Sequence, residues 1–347
     1  MRFNTPSIVL PLLLLPFANA GPTGKTLLSR AISGLNARMQ ATGRYFGTFS
    51  DAKYLTDTTY TGILGNISEF ASITPGNSMK WETTEPSKGS FSFTTADQIV
   101  DYAVDTGKWV RGHTLVWYSQ LPSWVEAITD KDEILSVMNN HITTQVTHYK
   151  GKGVKHWDVV NEPFEDSGEY RDNVFYNLLG VDYIATAFKT ARAADPDAKL
   201  YLNEYNNDYG VKANAFYELA KNLKDAGVPI DGVGIQGHYI LGGITTGLQN
   251  RMQALADLGL EVSITELDIR IPSPTTDAKL EQQAEDYAYV TAACLAVDGC
   301  VGITVASFTD KYSWVPTTFP GYDDALPWDK NLQKKPAYYG ISDTIPV

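Results

Sequence analysis

Eight short apolar runs alternate along this chain with longer stretches of helical periodicity, and that alternation limits the architecture more than any other feature. The runs occupy residues 45–49, 70–73, 109–114, 155–160, 199–203, 232–236, 261–265 and 301–305. Between them, residues 94–106, 132–149, 181–194, 213–226, 248–258 and 280–296 place apolar side chains at helical spacing. Asp195-Pro196-Asp197 and Asp225-Ala226-Gly227 are stop signals behind two of these helices. Eight strands with helices between them predict an α/β fold, a single (β/α)8 TIM barrel rather than an open doubly wound sheet. A length of 347 residues divides into two average domains, but barrels of this kind exceed 200 residues as one unit. No Ser/Thr/Pro linker, repeat or low-complexity tract interrupts the chain, so one catalytic domain is expected over residues 21–347.

Residues 1–20 read as a signal peptide. Arg2 supplies a positive start, 8–17 are apolar, and Ala18-Asn19-Ala20 is a small-x-small cleavage site. Pro6, Pro11 and Pro16 argue against a buried helix or a membrane span there. The expected product is secreted and extracellular, a monomer. The full chain's formal net charge of −12 makes nucleic acid and membrane surfaces poor partners. In an oxidising compartment Cys294 and Cys300, which close a short loop, are expected to form a disulfide. Asn66-Ile67-Ser68 is a glycosylation sequon. Gly21-Pro22-Thr23-Gly24-Lys25-Thr26 resembles a phosphate loop, but Asn19 stands where its first Gly belongs and no strand precedes it.

The chemistry falls at strand ends. One run leads into Asn161-Glu162-Pro163 and another into Glu266-Leu267-Asp268, and these are strands four and seven by count. In a barrel the C-terminal strand ends project side chains into the site, so two carboxylates from opposite walls converge on one cleft. Glycosidic cleavage needs such a pair, one to protonate the leaving oxygen and one to meet the developing oxocarbenium ion. Neighbouring ends add Asn77 and Lys80, His113 and Trp117, Gln236 and His238, and the segment ending in Trp314. Polar groups mixed with flat rings suit sugars, which present both hydroxyls and apolar faces. His113 and His238 lie on separate strands without zinc-ligand spacing, so no metal and no cofactor are expected.

Gly-His-Thr-Leu-Val-Trp, Trp-Asp-Val-Val-Asn-Glu-Pro, Ile-Gln-Gly-His, Ile-Thr-Glu-Leu-Asp and Thr-Asp-Lys-Tyr-Ser-Trp, in that order, resemble the motifs of the glycoside hydrolase family 10 xylanases. The resemblance covers nearly all of residues 25–340. It implies a (β/α)8 barrel and a retaining, double-displacement O-glycosyl hydrolase acting on β-linked plant saccharides, by family default endo-1,4-β-xylan. It further implies Glu162 as acid/base and Glu266 as nucleophile, with Asn161 binding the 2-hydroxyl and His238 and Asp268 orienting Glu266. Lys80, His113 and Gln236 would bind the sugar beside the scissile bond, with Asn77, Trp117 and Trp314 completing the substrate site.

The departures from that pattern cluster. Gly76 stands where the family usually has Glu, Tyr118 where it commonly has His, and Ala306-Ser307 where it usually has Trp-Gly. Trp to Ala removes a stacking face and opens space. Glu to Gly removes a charge-assisted hydrogen bond, about 1.5–3 kcal/mol. Xylose lacks a hydroxymethyl group that a hexose carries, so a widened site fits an alternative, tomatinase-like substrate: a steroidal glycoalkaloid with galactose beside the scissile bond. An alternative of another class is a non-catalytic sugar-binding barrel, which has no need for both Glu162 and Glu266.

Overall fold

In the computed structural model, which describes residues 34–346, the eight runs form one closed parallel barrel. The leader and the phosphate-loop lookalike lie outside the described residues. The strands are β1 (Tyr45–Ser50), β2 (Ser72–Pro75), β3 (Trp109–Val116), β4 (Val154–Asn161), β5 (Lys199–Glu204), β6 (Gly232–Ile235), β7 (Glu261–Pro272) and β8 (Cys300–Val305). Each pairs in parallel with the next, and β8 pairs back onto β1. Closure removes unpaired edges. Helices Thr94–Asp105, Lys131–Tyr149, Asp182–Ala194, Gly210–Asp225, Leu248–Ala256 and Asp277–Ala296 fill the expected intervals. Their apolar faces pack in one continuous core that includes Ile99, Ile142, Phe188, Phe216 and Val290.

Two elements differ from the sequence expectation. Phe70 precedes β2 instead of opening it, buried against Phe46 and Phe308. β7 is 12 residues long and runs well past Thr265, because its outer half pairs with a short strand His238–Ile240 and with Tyr322–Asp323. Glu266 therefore sits within the strand and not just beyond it. The disulfide is present: Cys294 near the end of a helix joins Cys300 at the start of β8, with a Cα–Cα distance of 5.3 Å.

Inside the barrel the layer beneath the strand ends is polar. Arg111 on β3 donates to Asp158 on β4 through Nε at 3.2 Å, with both side chains 1% exposed. The guanidinium also lies over the Tyr201 ring, 4.3 Å from its centroid. Two residues further along β3, on the same face, His113 bonds the same carboxylate through Nδ1 at 3.0 Å. Asp158 thus satisfies a buried cation on one side and aims a cleft histidine on the other. Removing one partner of a buried pair leaves an uncompensated charge, which costs about 3–5 kcal/mol. Asp158→Ala is expected to lose about that much in urea unfolding, and a loss below about 1 kcal/mol would show that Arg111 finds another partner.

Candidate active site

The C-terminal strand ends surround a cleft of about 710 Å³. Asn77, Lys80, His113, Trp117, Asn161, Glu162, Gln236, His238, Glu266 and Trp314 all line it, as do the atypical Gly76, Tyr118, Ala306 and Ser307. Asp268 does not reach the cleft; it is fully buried behind His238. Among the described residues, no group of three or more His, Cys, Asp or Glu is arranged to hold a metal ion.

Glu162 follows directly on β4 in a left-handed conformation, φ 54°. A non-glycine residue there costs about 1–3 kcal/mol unless its surroundings hold it. Its N–H donates to the Asn203 carbonyl at 2.9 Å, and its own carbonyl accepts from Arg171 Nε at 3.1 Å. Those two bonds turn the carboxylate into the cleft. There it accepts from Trp117 Nε1 at 2.9 Å, Gln236 Nε2 at 2.9 Å and Asn161 Nδ2 at 3.3 Å.

Glu266 faces the same space from β7. Asn203 Nδ2 donates to its Oε1 at 2.8 Å, and His238 Nε2 lies 3.4 Å from its Oε2. His238 Nδ1 is in turn 2.8 Å from Asp268 Oδ2, which also accepts from Trp314 Nε1 at 2.8 Å. Burial alone would lower the His238 pKa, but the Asp268 and Glu266 carboxylates outweigh it and raise the ring to about 10. Burial alone would raise Glu266, yet the His113 and His238 rings and the Asn203 amide hold it down to about 2. Glu266 is therefore ionised beside an imidazolium.

At the other end of the cleft Lys80 donates to Asn77 Oδ1 at 3.1 Å and to Gln120 Oε1 at 2.5 Å, with its Nζ 4.9 Å from the Trp117 ring centroid. Burial lowers the Lys80 pKa, against the pull of Glu266, Asp51 and Glu162. Gly76 does not leave this end without an acid. Asp51, just past β1 and 5% exposed, accepts from Ser78 N at 3.1 Å and from Asn77 Nδ2 at 3.2 Å. A Cβ at Gly76 would stand 3.0 Å from Asp51 Oδ2, so a larger side chain would crowd that carboxylate.

Around Ala306 the nearby tyrosines are engaged elsewhere. Tyr312 stacks on Tyr54 at 4.1 Å and donates its hydroxyl to Asp57 Oδ2 at 2.8 Å. Tyr118 lies over the Arg171 guanidinium at 4.2 Å. Ala306 itself is 5% exposed in the wall of the same cleft.

Asp51, Gln120, Asn203 and Arg270 belong to the site region and were not singled out from the sequence. Asp51 and Asn203 lie at the ends of β1 and β5, so the strand-end rule applied to every strand would have found them. Gln120 and Arg270 have no comparable signal.

The ion triad fixes a pH signature. The folded pKa of Glu266 is below its ordinary 4.5, so its contribution to stability is complete above 4.5 and lost as pH falls through about 2. The folded pKa of His238 is above its ordinary 6.5, so its contribution is complete below 6.5 and lost as pH rises through about 10. Both are complete only between 4.5 and 6.5. The melting-temperature penalty of His238→Ala is expected to be largest inside that window and to shrink on either side. An equal penalty at every pH would contradict the ion triad.

The sequence profile of glycosyl hydrolase family 10 matches residues 34–344. Endo-1,4-beta-xylanase A of Phanerodontia chrysosporium is 52% identical over 317 residues, covering 90% of this chain and 78% of that protein. The endo-1,4-beta-xylanase of Agaricus bisporus is 50% identical over 307 residues, covering 88% of this chain and 92% of its own. Among solved structures, xylanase 10B from Thermotoga petrophila RKU-1 in complex with xylobiose superposes with a TM-score of 0.87 at 39% identity, covering 90% of this chain and 97% of its own. With the paired glutamates in the cleft of a closed barrel, these matches place the chain in glycosyl hydrolase family 10, as an O-glycosyl hydrolase.

Proposed function

We propose that residues 21–347 form a secreted, monomeric catalytic domain that hydrolyses β-1,4-xylan internally, with retention of configuration and without a cofactor. The observation that carries this reading is the carboxylate pair: Glu162 and Glu266 face one cleft and are joined through Asn161, Asn203 and Gln236. Family membership and the xylanase names of the relatives support it. Asn66, exposed on a surface turn, is the glycan site of the exported protein.

In the first step Glu266 attacks the anomeric carbon while Glu162, protonated, gives its proton to the leaving oxygen. The His238 imidazolium and the Asn203 amide keep Glu266 ionised until it becomes the ester. In the second step Glu162, now a carboxylate, takes a proton from water, and that water displaces Glu266. Asn161, tied to Asn203 at 2.8 Å, presents its amide where a 2-hydroxyl would lie. Lys80, His113 and Gln236 hold the same sugar, and Trp117 and Trp314 offer ring faces.

A second reading rests on Ala306. Ala306 lines the cleft wall without the stacking face of a tryptophan, and a smaller wall residue there favours a hexose such as galactose beside the scissile bond. The two readings separate in a side-by-side assay on xylan and on a galactose-linked steroidal glycoalkaloid. Efficient xylan hydrolysis with no hexoside cleavage would eliminate the second.

Three outcomes are expected. NMR of the first product should show the β-anomer, and an α-anomer would overturn retention. Glu162→Ala should slow substrates with poor leaving groups far more than those with good ones, with azide rescuing the second step; equal losses would contradict the acid/base role. Ala306→Trp should reduce any hexoside cleavage by at least about tenfold, about 1.4 kcal/mol, while xyloside cleavage holds or improves.

A further inference from the structure

Glu266, Asp268 and Arg270 alternate along β7, so all three turn toward the same face. Four residues at roughly 3.3 Å each set the Arg270 Cα about 13 Å beyond that of Glu266, at the outer wall of the cleft. Other arginines among the described residues are committed. Arg111, Arg171 and Arg192 pair with Asp158, Glu165 and Asp231, and Arg44 and Arg251 donate to carbonyl or amide oxygens. Arg270 differs. Among the described residues its side chain has neither a carboxylate partner nor a hydrogen-bonded oxygen, and its Nε, like that of Arg44, is buried without an acceptor.

What holds it is aromatic. The guanidinium lies over the Phe319 ring at 4.1 Å and near that of Tyr322 at 5.5 Å. Tyr322 pairs with Pro272 on β7, and Phe319 packs on Trp314 at 5.4 Å. The cradle is therefore anchored to the strand that carries Glu266 and to the tryptophan that bonds Asp268. Stacking fixes the plane of the guanidinium and leaves its donor edge uncommitted, a geometry matched to the two oxygens of a carboxylate. Arg270 is half-buried at the cleft, and a buried N–H such as its Nε is costly to leave without an acceptor.

We propose that Arg270 is a carboxylate-binding subsite that receives a uronic-acid substituent on the saccharide being cleaved. The proposal deepens the reading of the cleft as a β-xylan hydrolase site and rests on it. It makes branched, acidic saccharides better substrates than neutral ones at a position remote from the reacting carbon.

The test uses a glucuronic-acid-substituted xylo-oligosaccharide and the same compound with its carboxyl group reduced to the alcohol. For the unmodified enzyme, kcat/KM is expected to be about tenfold higher on the acidic form, a ratio that narrows at high salt. Arg270→Met should bring the ratio near one, and Arg270→Lys, which keeps the charge but not the fork, should leave it between. Calorimetric binding of the same two compounds to Glu266→Ala protein, with and without Arg270→Met, reads the subsite without turnover. A unit ratio in the unmodified enzyme overturns the proposal. So does an equal loss on both compounds in Arg270→Met, because Arg270 would then only clip the Phe319 loop. If neither compound nor unsubstituted xylo-oligosaccharide is cleaved, the xylanase reading fails first, and the calorimetric ratio alone judges the subsite.

Discussion

The amide of Asn203 ties the two cleft glutamates into one unit. Its Nδ2 donates to Asn161 Oδ1 and to Glu266 Oε1, both at 2.8 Å, while its carbonyl accepts from Thr265 Oγ1 at 2.7 Å. Asn203 is on β5, so it must reach past β6 to touch β7. It can because its register partner on β6 is Gly234, where a Cβ would stand 2.0 Å from Asn203 Oδ1. Any side chain at Gly234 would expel Asn203 from the bridge, separating Asn161 from Glu266. One missing side chain on β6 thus lets β4, β5 and β7 share a polar network, a use of glycine at a close approach within a sheet.

Charge is arranged around that bridge in layers. Deepest lies Asp158, shared between Arg111 and His113. Above it Glu266 and Asp268 bracket the His238 imidazolium. Each buried anion has a cation or several N–H groups against it, which is the condition under which burial of charge is tolerable. The barrel interior is consequently polar near the site, and stability there depends on complete pairing rather than on apolar contact. The apolar contribution comes from the surrounding layer between strands and helices.

The barrel was legible because eight short apolar runs alternate along the chain with six stretches of helical period, each a local signal. The carboxylate pair was legible because Asn161-Glu162 and Glu266-Leu267-Asp268 each follow a buried run. The length of β7 was not, since its outer half is held by pairing with residues 238–240 and 322–323, contacts between distant parts of the chain. Gly76 reads in the sequence as a lost acid, whereas the fold brings Asp51 from β1 against the same spot. An isolated Asp after a strand has no neighbouring motif to set it off from a surface charge, so only the strand-end rule applied to every strand picks it out. Asn203, at the end of β5, is found in the same way.

The same placement bears on whether the atypical wall marks a changed substrate or a retired enzyme. Gly76, Ala306 and Ser307 follow β2 and β8, neighbours of β1 on either side. The network of Asn161, Glu162, Asn203, Gln236, His238, Glu266 and Asp268 spans β4 to β7, and every member has its hydrogen-bonded partner. A sugar-binding barrel has no use for a carboxylate held ionised in a buried site, because neutral hydroxyls are bound as well by amides and rings. Ionised Glu266 costs desolvation, and His238, Asp268, Asn203 and Trp314 are committed to offsetting it. Relaxed selection for chemistry would release those residues first. Here they are intact while the differences from the family pattern fall on the neighbouring wall, and this separation favours a hydrolase over a barrel that only binds.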